Sequence, residues 1–528
     1  MNESSVFGSE KHFTRNAVLL FWLAAALLAV GVCPWWRISS DSALYLGIAQ
    51  SLAAGQGYTF SGDLQSSIPP LMPLSFAFIY KIALIFRPGM PFMDALFYFN
   101  AFVAAFAVVG LVAAFFLVLE LAGRRWAILI LLLLVTNNEF HFCAIQPLTD
   151  VPYAALSWAA LLFFIRADKR GGALNYVAAS VFLALALATR LVAIALVVTL
   201  AGYVAISCFT NGRQREKAIR GAFAILPSAI LVLATFYVIW HFRRTVAFNY
   251  WNELLSWHRL PQMVTRMASN LATIPDGVFE AITSLEAVGG AGILLCMLIA
   301  AGASICWRKG MRLAVAYFVV YFLYVASGEA VLQRYVVPML PLALIFVLEG
   351  ATALVENLGR FADTAKPAKA IRATLTVFLA GFIAANLVYN AAEIRINFAG
   401  DFYKAYRSGK NVDYLTLSRA LVADPPKGRI LAFLPREITV LTGLPTAWMS
   451  YQYKPTKTYS PTWEHFERFV NDRGVTAIVV DPEYGPSADY LSQFAAYGPL
   501  EWRQAGCFGR LTLYTLEGVR PKKHARNR

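Results

Sequence analysis

The chain has 528 residues, of which 58% are hydrophobic and 15% are charged, and its mean hydropathy is +0.56. A water-soluble protein with this balance would expose far too much apolar surface, so we exclude that class. The net charge of +15 does not indicate a nucleic acid partner, because the basic residues cluster between apolar runs, as topology signals do in membrane proteins.

Repeated apolar runs of about 20 residues predict an all-α polytopic membrane domain, since each such helix can cross the hydrocarbon core. We predict eleven spans, at 16–34, 92–121, 126–144, 151–166, 173–188, 191–208, 221–240, 287–306, 312–327, 337–355 and 373–392. The run 69–87 is Pro-rich at its start and broken by Lys81. We interpret it as an interfacial or re-entrant helix rather than a twelfth span.

The distribution of Lys and Arg predicts a cytoplasmic N-terminus. With that orientation the inner segments carry 18 basic residues in 61 positions, and the outer segments carry 9 in 124 positions. Cytoplasmic loops are enriched in Lys and Arg, so this asymmetry sets the orientation. An odd number of spans then places the C-terminal part outside the cytoplasm.

Residues 393–528 have a different composition from the membrane part, 1–392. Strand-like runs alternate there with helix-like runs, which predicts a small extracytoplasmic α/β domain. The strand-like runs are 429–434, 476–481 and 510–516, and the helix-like runs are 412–423 and 463–473. The last nine residues are basic and predict a solvated tail.

The first external loop, 35–91, contains a helix-like segment that starts with a carboxylate. Four residues fall on one helical face: Asp41, Tyr45, Ala49 and Leu52. Gly55 and Gly57 then supply a stop, and Pro69, Pro70 and Pro73 predict a rigid entry to the next run. Such a surface helix suits chemistry on a lipid-linked molecule.

Further polar residues gather at the predicted outer ends of the spans. They are Asn137, Asn138, Glu139, His141, Asp150, Arg190, Glu329, Gln333, Arg334 and Tyr335. A transporter would be expected to place ionisable groups near mid-depth, beside broken helices. The chain instead looks like a scaffold with a site on its external surface.

Each of these signals has a structural alternative. Asp41 and Asp150 are both placed to cap helices, and His141 is more typical of a hydrogen-bonded structural histidine than of a base or ligand. Arg334 next to Tyr335 is either an interface anchor or a phosphate site, and the planar guanidinium favours phosphate. In the outer segment 241–286, Arg243 and Arg244 break the positive-inside trend, either as noise or as a site for an anionic headgroup.

The six cysteines do not indicate a disulfide framework or a metal site. Cys33, Cys143, Cys208, Cys296, Cys306 and Cys507 show no paired spacing. There is also no His-x-x-x-His or clustered Cys and His spacing. We therefore predict no cofactor, and a divalent metal has no support from ligand spacing.

Four motifs together resemble a known superfamily. They are Asp41-x-x-x-Tyr45 through Gly57-Tyr58 to Pro69-Pro70-Leu71-x-Pro73, then Leu148-Thr149-Asp150-Val151-Pro152, Leu187-Ala188-Thr189-Arg190, and Arg334-Tyr335 leading to Pro338 and Pro341. In this order they resemble membrane glycosyltransferases of the GT-C fold, in the protein O-mannosyltransferase and aminoarabinose transferase superfamily and its RgtA/B/C/D-like branch. The resemblance covers residues 1–392.

The resemblance implies transfer of a sugar from a polyprenyl-phosphate carrier to a lipid, glycan or protein acceptor on the outer face of the plasma (bacterial inner) membrane. Asp41 would match the catalytic carboxylate, with Asp150 as a second catalytic candidate. Arg334, Tyr335, Arg190 and Arg244 would bind the donor phosphate, and Tyr45, Tyr58, Pro69 and Pro70 would form the loop framework.

The chain departs from the family at two positions. Many members have an acidic residue directly after the first Asp, where this chain has Ser42, and aminoarabinose transferases have Lys where it has Ile68. These departures argue against a bound metal and against that donor. The function we favour is an inverting glycosyltransferase; a transporter or flippase of lipid-linked sugars is the alternative, and a non-catalytic envelope assembly protein is a third.

Overall fold

The computed structural model describes residues 10–34, 36, 39–65, 68–209, 216, 219–223, 225–228, 230–231, 234, 260–286, 290–327, 333–361, 365–398, 410–448 and 462–519. The described residues up to Phe398 are almost entirely helical. The helices are α1 Glu10–Gly31, α2 Ser40–Ala53, α3 Leu71–Phe86, α4 Leu96–Ala122, α5 Arg124–Thr136, α6 Asn138–Ala144, α7 Asp150–Arg170, α8 Ala173–Thr189, α9 Ile194–Cys208, α10 Leu260–Thr283, α11 Ala291–Arg308, α12 Arg312–Ala326, α13 Leu340–Phe361 and α14 Ala365–Phe398.

Three short 3-10 helices precede longer ones in this part: Phe92–Ala95, Leu191–Ala193 and Gln333–Met339. A two-residue antiparallel hairpin, β1 Thr59–Phe60 and β2 Asp63–Leu64, follows α2. Helix α7 lies at the centre of the bundle, where nearly every side chain from Asp150 to Ile165 is buried. The first residue of α7 is therefore held firmly by the surrounding helices.

The C-terminal part is a five-stranded mixed sheet with helices. Its elements are α15 Lys410–Ala423, β3 Arg429–Ala432, α16 Pro435–Thr442, β4 Thr446–Trp448, α17 Trp463–Asp472, β5 Val475–Val480, the 3-10 helix Pro482–Tyr484, α18 Pro486–Tyr497, β6 Leu500–Phe508 and β7 Leu511–Val519. The strand order is β4-β3-β5-β7-β6. Strand β3 pairs in parallel with β4 and β5, whereas β7 pairs antiparallel with β5 and β6.

The predicted fold class is confirmed at the level of a helical membrane part followed by a small C-terminal sheet region. Among the described residues six helices are long and apolar enough to cross a membrane, or seven if the bent pair α5 and α6 counts as one span. The number eleven and the orientation of the termini stay predictions, as do the domain limits. Helix α14 runs past the predicted limit at 392 to Phe398.

The predicted span 126–144 is wrong as a single helix. The chain breaks at Asn137 and turns by 62° between α5 and α6. The Asn137 side chain stabilises this break, because its Oδ1 accepts from the backbone N–H of Phe140 at 2.8 Å and its Nδ2 donates to the carbonyl of Ala281 at 2.9 Å. An amide that satisfies backbone groups on two helices explains why the helix bends here.

The second half of the predicted outer segment 241–286 contains the 24-residue helix α10. This helix is less apolar than a membrane span, so the apolar runs of the sequence do not indicate it. It is held by hydrogen bonds to its neighbours, such as the one from Asn270 Nδ2 to the carbonyl of Ala326 at 3.0 Å. The first half of the segment, including Arg243 and Arg244, lies outside the described residues, as do the predicted tail and much of the predicted span 221–240.

Candidate active site

Helix α2 begins with Ser39 as its cap. Ser39 has an extended backbone, and its Oγ accepts from the backbone N–H of Ser42 at 3.3 Å. The Ser42 hydroxyl in turn accepts from the indole N–H of Trp36 at 2.9 Å, in a buried contact. Asp41 is the second residue of the first turn, so the alternative that Asp41 is the helix cap is wrong. The Asp41 carboxylate is therefore not used for helix capping.

Asp41 instead contacts Arg334, which lies 293 residues further along the chain. The Arg334 Nη2 donates to Asp41 Oδ2, and the two side chains are 17% and 37% exposed, respectively. Arg334 lies in the 3-10 segment Gln333–Met339 that leads into α13. Its Nε is buried and has no hydrogen-bond partner among the described residues. The Nε–H of Arg334 is thus a donor that a bound ligand could use.

A second ion pair joins Arg190 to Asp150. Arg190 Nη1 donates to Asp150 Oδ1, and the Asp150 side chain is only 1% exposed. Asp150 is the first helical residue of α7, and Thr149 occupies the cap position without a side-chain capping bond. The expectation that Asp150 caps the helix is therefore corrected: its carboxylate holds a guanidinium. Arg190 has an extended backbone and separates α8 from the next helix.

The two guanidinium groups meet at the ring of Tyr335. The ring centroid lies 4.9 Å from Cζ of Arg190 and 5.5 Å from Cζ of Arg334. Cation–π contact of this kind fixes both cations on one aromatic platform. The Tyr335 carbonyl accepts from the hydroxyl of Tyr321 at 2.7 Å, which holds the backbone in place. Three of the four predicted phosphate-binding residues are thus neighbours, and the fourth, Arg244, lies outside the described residues.

Tyr45 ties the first loop to the start of α7. Its hydroxyl lies 3.3 Å from Oγ1 of Thr149, the residue before Asp150. Burial, and then the nearby Asp41 carboxylate, raise the pKa of Tyr45 to about 12. The phenol is therefore protonated and able to donate throughout the neutral range. The structure brings the predicted residues Asp41, Tyr45 and Asp150 into one region.

The remaining framework residues shape the loop. The hydroxyl of Tyr58 donates to the carbonyls of Ile68 and Pro69, at 3.0 and 3.2 Å. Burial raises the pKa of Tyr58 above its usual value, so it also acts as a donor. Pro70 occupies the cap position of α3, and Pro73 lies in the first turn of that helix rather than in an extended entry.

The carboxylates do not form a set of metal ligands. Within the described part of the chain, no three His, Cys, Asp or Glu side chains come together closely enough to hold a metal ion. Asp41 and Asp150 each face a guanidinium group. The donor set of these described residues therefore fits anion binding rather than metal binding.

Solved structures of other proteins share the architecture of this chain. The chain matches ArnT from Cupriavidus metallidurans in the apo state with a TM-score of 0.61 and 15% identity, over 95% of this chain and 98% of ArnT. The undecaprenyl phosphate-bound ArnT structure gives 0.59 and 14%, with the same coverage. The archaeal oligosaccharyltransferase AglB from Archaeoglobus fulgidus, in complex with an inhibitory peptide and a dolichol-phosphate, gives 0.54 and 10%, over 97% and 75%.

The chain has the GT-C fold. The resemblance stated from the four motifs is confirmed at the level of the fold. No protein-family model and no curated protein sequence matches the chain. Because identity to the solved GT-C structures is 10–15%, the likeness extends to the fold alone.

The sequence predicts Glu139 as one of the outer polar residues but not as a member of the candidate site. The helix break at Asn137 puts Glu139 in the first turn of α6, within electrostatic range of Asp150 and Arg334. The thiol of Cys143 contacts its Oε1 at 3.7 Å. The sequence feature that could have pointed to Glu139 is its position directly after Asn137 and Asn138 inside an apolar run. His141, in contrast, contacts the carbonyl of Leu27 at 3.3 Å, in agreement with a structural role.

Proposed function

We propose that the chain is an inverting glycosyltransferase that moves a sugar from a polyprenyl-phosphate-linked donor to an acceptor at the outer face of the membrane. The acceptor is a lipid, a glycan or a protein. The observation that carries the proposal is the meeting of two Arg–Asp pairs at Tyr335, beside the surface helix α2. On a GT-C fold, these two guanidinium groups form a candidate site for a lipid phosphate that competes with the paired carboxylates.

Binding of the carrier phosphate is assigned to Arg334 and Arg190. Guanidinium groups suit phosphate because their fork of N–H donors matches two oxygens at once. Arg334 has a buried Nε without a partner in the described structure, which a phosphate oxygen would satisfy. Support by analogy comes from the GT-C neighbour ArnT, which was solved with undecaprenyl phosphate.

Asp41 is assigned as the general base. In the free protein its carboxylate is engaged in an ion pair with Arg334. A donor phosphate that competes for Arg334 would release Asp41 when substrate is present. The acceptor hydroxyl oxygen then bonds to the anomeric carbon, its proton passes to Asp41, and the bond from that carbon to the phosphate oxygen breaks. One displacement of this kind inverts the anomeric centre.

Asp150 is assigned a positioning role, with catalysis as its second candidate role. It is almost fully buried and faces Arg190, so it orients a guanidinium that stabilises the negative charge on the departing phosphate. The distribution of basic residues supports an integral plasma (bacterial inner) membrane protein with a cytoplasmic N-terminus. The site would then face outward, together with the C-terminal region.

The test is sugar transfer by the purified chain in nanodiscs. Undecaprenyl-phosphate-linked donors with different radiolabelled sugars are incubated with an extract of envelope lipids and glycans. The expected result is label in the acceptor fraction, an equal amount of released undecaprenyl phosphate, and an inverted anomeric configuration by NMR. Movement of the intact donor between leaflets, without release of undecaprenyl phosphate, would instead indicate a flippase.

A further inference from the structure

The C-terminal region packs directly on the catalytic loop. Helix α16 lies against α2, where Val440 joins a buried apolar cluster with Trp36, Ala43 and Leu46. The second residue of α16, Arg436, contacts Ser40 at the start of α2, next to Asp41. The C-terminal region is therefore part of the wall of the candidate active site.

Hydroxyl groups connect the same two parts of the chain. Ser61, at the turn of the β1–β2 hairpin, lies 2.9 Å from the hydroxyl of Thr439, and its Oγ accepts from the backbone N–H of Thr446 at 3.2 Å. Ser61 has a φ of 52°, in the left-handed region that favours glycine. The contacts of its hydroxyl with Thr439 and Thr446 offset the cost of this backbone conformation, and these contacts exist only when the C-terminal region is packed on the loop.

Arg436 reaches from α16 into this junction. Its Nη1 donates to Oγ of Ser40 at 3.3 Å, and Ser40 is the residue next to Asp41. The side chain is partly buried and lies within electrostatic range of Asp41 and Glu437. Burial lowers the pKa of Arg436 from its usual value, yet the guanidinium remains charged at neutral pH. A partly buried guanidinium keeps its charge and its fork of N–H donors, which suit an anionic ligand.

We propose that Arg436 binds an anionic group, a phosphate or carboxylate, on the acceptor substrate, so that the C-terminal region supplies the acceptor subsite. The inference rests on the proposed function. In a single displacement the attacking and leaving oxygens lie on opposite sides of the reacting carbon. If Arg334 and Arg190, in the helical part of the chain, hold the leaving phosphate, the acceptor needs a different cation near Asp41, and the C-terminal region supplies Arg436 there.

Two anions distinguish the two subsites in a binding experiment. Undecaprenyl phosphate reaches the protein from the lipid phase of a nanodisc, whereas inorganic phosphate reaches it from water. Dissociation constants are measured for undecaprenyl phosphate alone and for inorganic phosphate on protein saturated with undecaprenyl phosphate. The variants are Arg436→Gln, Arg436→Lys, Arg334→Gln and, as a matched control, Arg503→Gln, which removes one exposed positive charge from the same region.

We expect Arg436→Gln to weaken inorganic phosphate binding by about 10-fold or more, because a charge-assisted hydrogen bond is lost. Its affinity for undecaprenyl phosphate should stay within about twofold of wild type. Arg334→Gln should show the opposite pattern, Arg436→Lys should retain part of the phosphate binding, and Arg503→Gln should match wild type.

Three results would overturn the inference: unchanged phosphate binding by Arg436→Gln, no phosphate binding by the loaded wild type, or a loss of undecaprenyl phosphate affinity as large as that of Arg334→Gln. Wild-type protein that does not bind undecaprenyl phosphate would count against the proposed function instead. In that case the phosphate measurement on protein without carrier still reports on Arg436, because loss of phosphate binding in Arg436→Gln supports the anion site and unchanged binding removes it.

Discussion

At the start of α2, helix capping and the contact with Arg334 are carried out by two different residues, although the sequence allowed Asp41 to do both. Ser39 caps the helix, and the Asp41 carboxylate points at Arg334. Because these roles fall on different side chains, substitutions can separate helix stability from chemistry. The same separation applies to Arg334, whose charge and whose planar geometry can be changed independently.

Asp41→Asn should lower turnover by about 100-fold or more, since the amide cannot accept the acceptor's proton. The measurement is sugar transfer from a polyprenyl-phosphate donor by protein of equal thermal stability. Ser39→Ala is the control: it removes the cap at a cost of about 1 kcal/mol but leaves the carboxylate, so its turnover should remain near wild type. Near-normal transfer by Asp41→Asn would move the base to another carboxylate, with Asp150 the next candidate.

Arg334→Lys should reduce transfer roughly 10-fold or more, although the positive charge is kept. An ammonium group cannot reproduce the two parallel hydrogen bonds of a guanidinium to phosphate, and each such bond contributes about 1.5 kcal/mol or more. The KM for the donor is the informative quantity. Arg503→Lys, at an exposed position, provides the matched control. If Lys and Ala at position 334 both leave the KM unchanged, Arg334 does not contact the donor.

At the scale of elements, close helix packing positions the segment that carries Arg334. Helices α11 and α13 approach so closely at Gly302 that a Cβ there would overlap the carbonyl oxygen of Phe346. Gly350 on α13 is similarly close to the carbonyl of Leu298. Small residues allow such approach between membrane helices, where packing drives association.

Gly302→Ala should therefore destabilise the protein by about 1–3 kcal/mol, because one of the two helices has to move. The measurement is the temperature at which the detergent-solubilised protein loses its monodisperse elution. Gly381→Ala is the matched control, since a Cβ at that position in α14 meets no described atom within 4 Å. Equal stability of the two variants would show that the close approach of α11 and α13 is not required.

At the scale of the whole molecule, the proposed chemistry depends on orientation. The candidate site, the first external loop and the C-terminal region all lie together through the contact of α16 with α2. The distribution of Lys and Arg predicts that this end faces away from the cytoplasm. A wrong orientation would move the site to the other side of the membrane.

Alkaline phosphatase fused after Arg528 should be active, because this enzyme folds only outside the cytoplasm, whereas green fluorescent protein at the same position should remain dark. Insertions in the loop 209–220 should give the reverse pattern, since that loop is predicted to be cytoplasmic. Fluorescence from the C-terminal fusion would contradict both the topology and an outward-facing site.

Local patterns in the sequence predicted most of the described elements and several site candidates. Apolar runs, helical spacing and Gly or Pro stops are local, so they placed α2, the long membrane helices and the strands at 429, 475 and 511 close to their observed positions. The candidates Asp41, Asp150, Arg190 and Arg334 came from local motifs in the same way. Signals of this kind depend only on neighbouring residues.

Only the tertiary structure decided which of these residues meet. Asp41 and Arg334 are 293 residues apart in the chain, so their pairing depends on helix packing that no local pattern encodes. The break at Asn137 depends on a carbonyl of α10, and the position of Arg436 depends on α16 lying against α2. Such contacts arise from burial of surfaces brought together by the whole fold, which is why the sequence predicted the groups but not their partners.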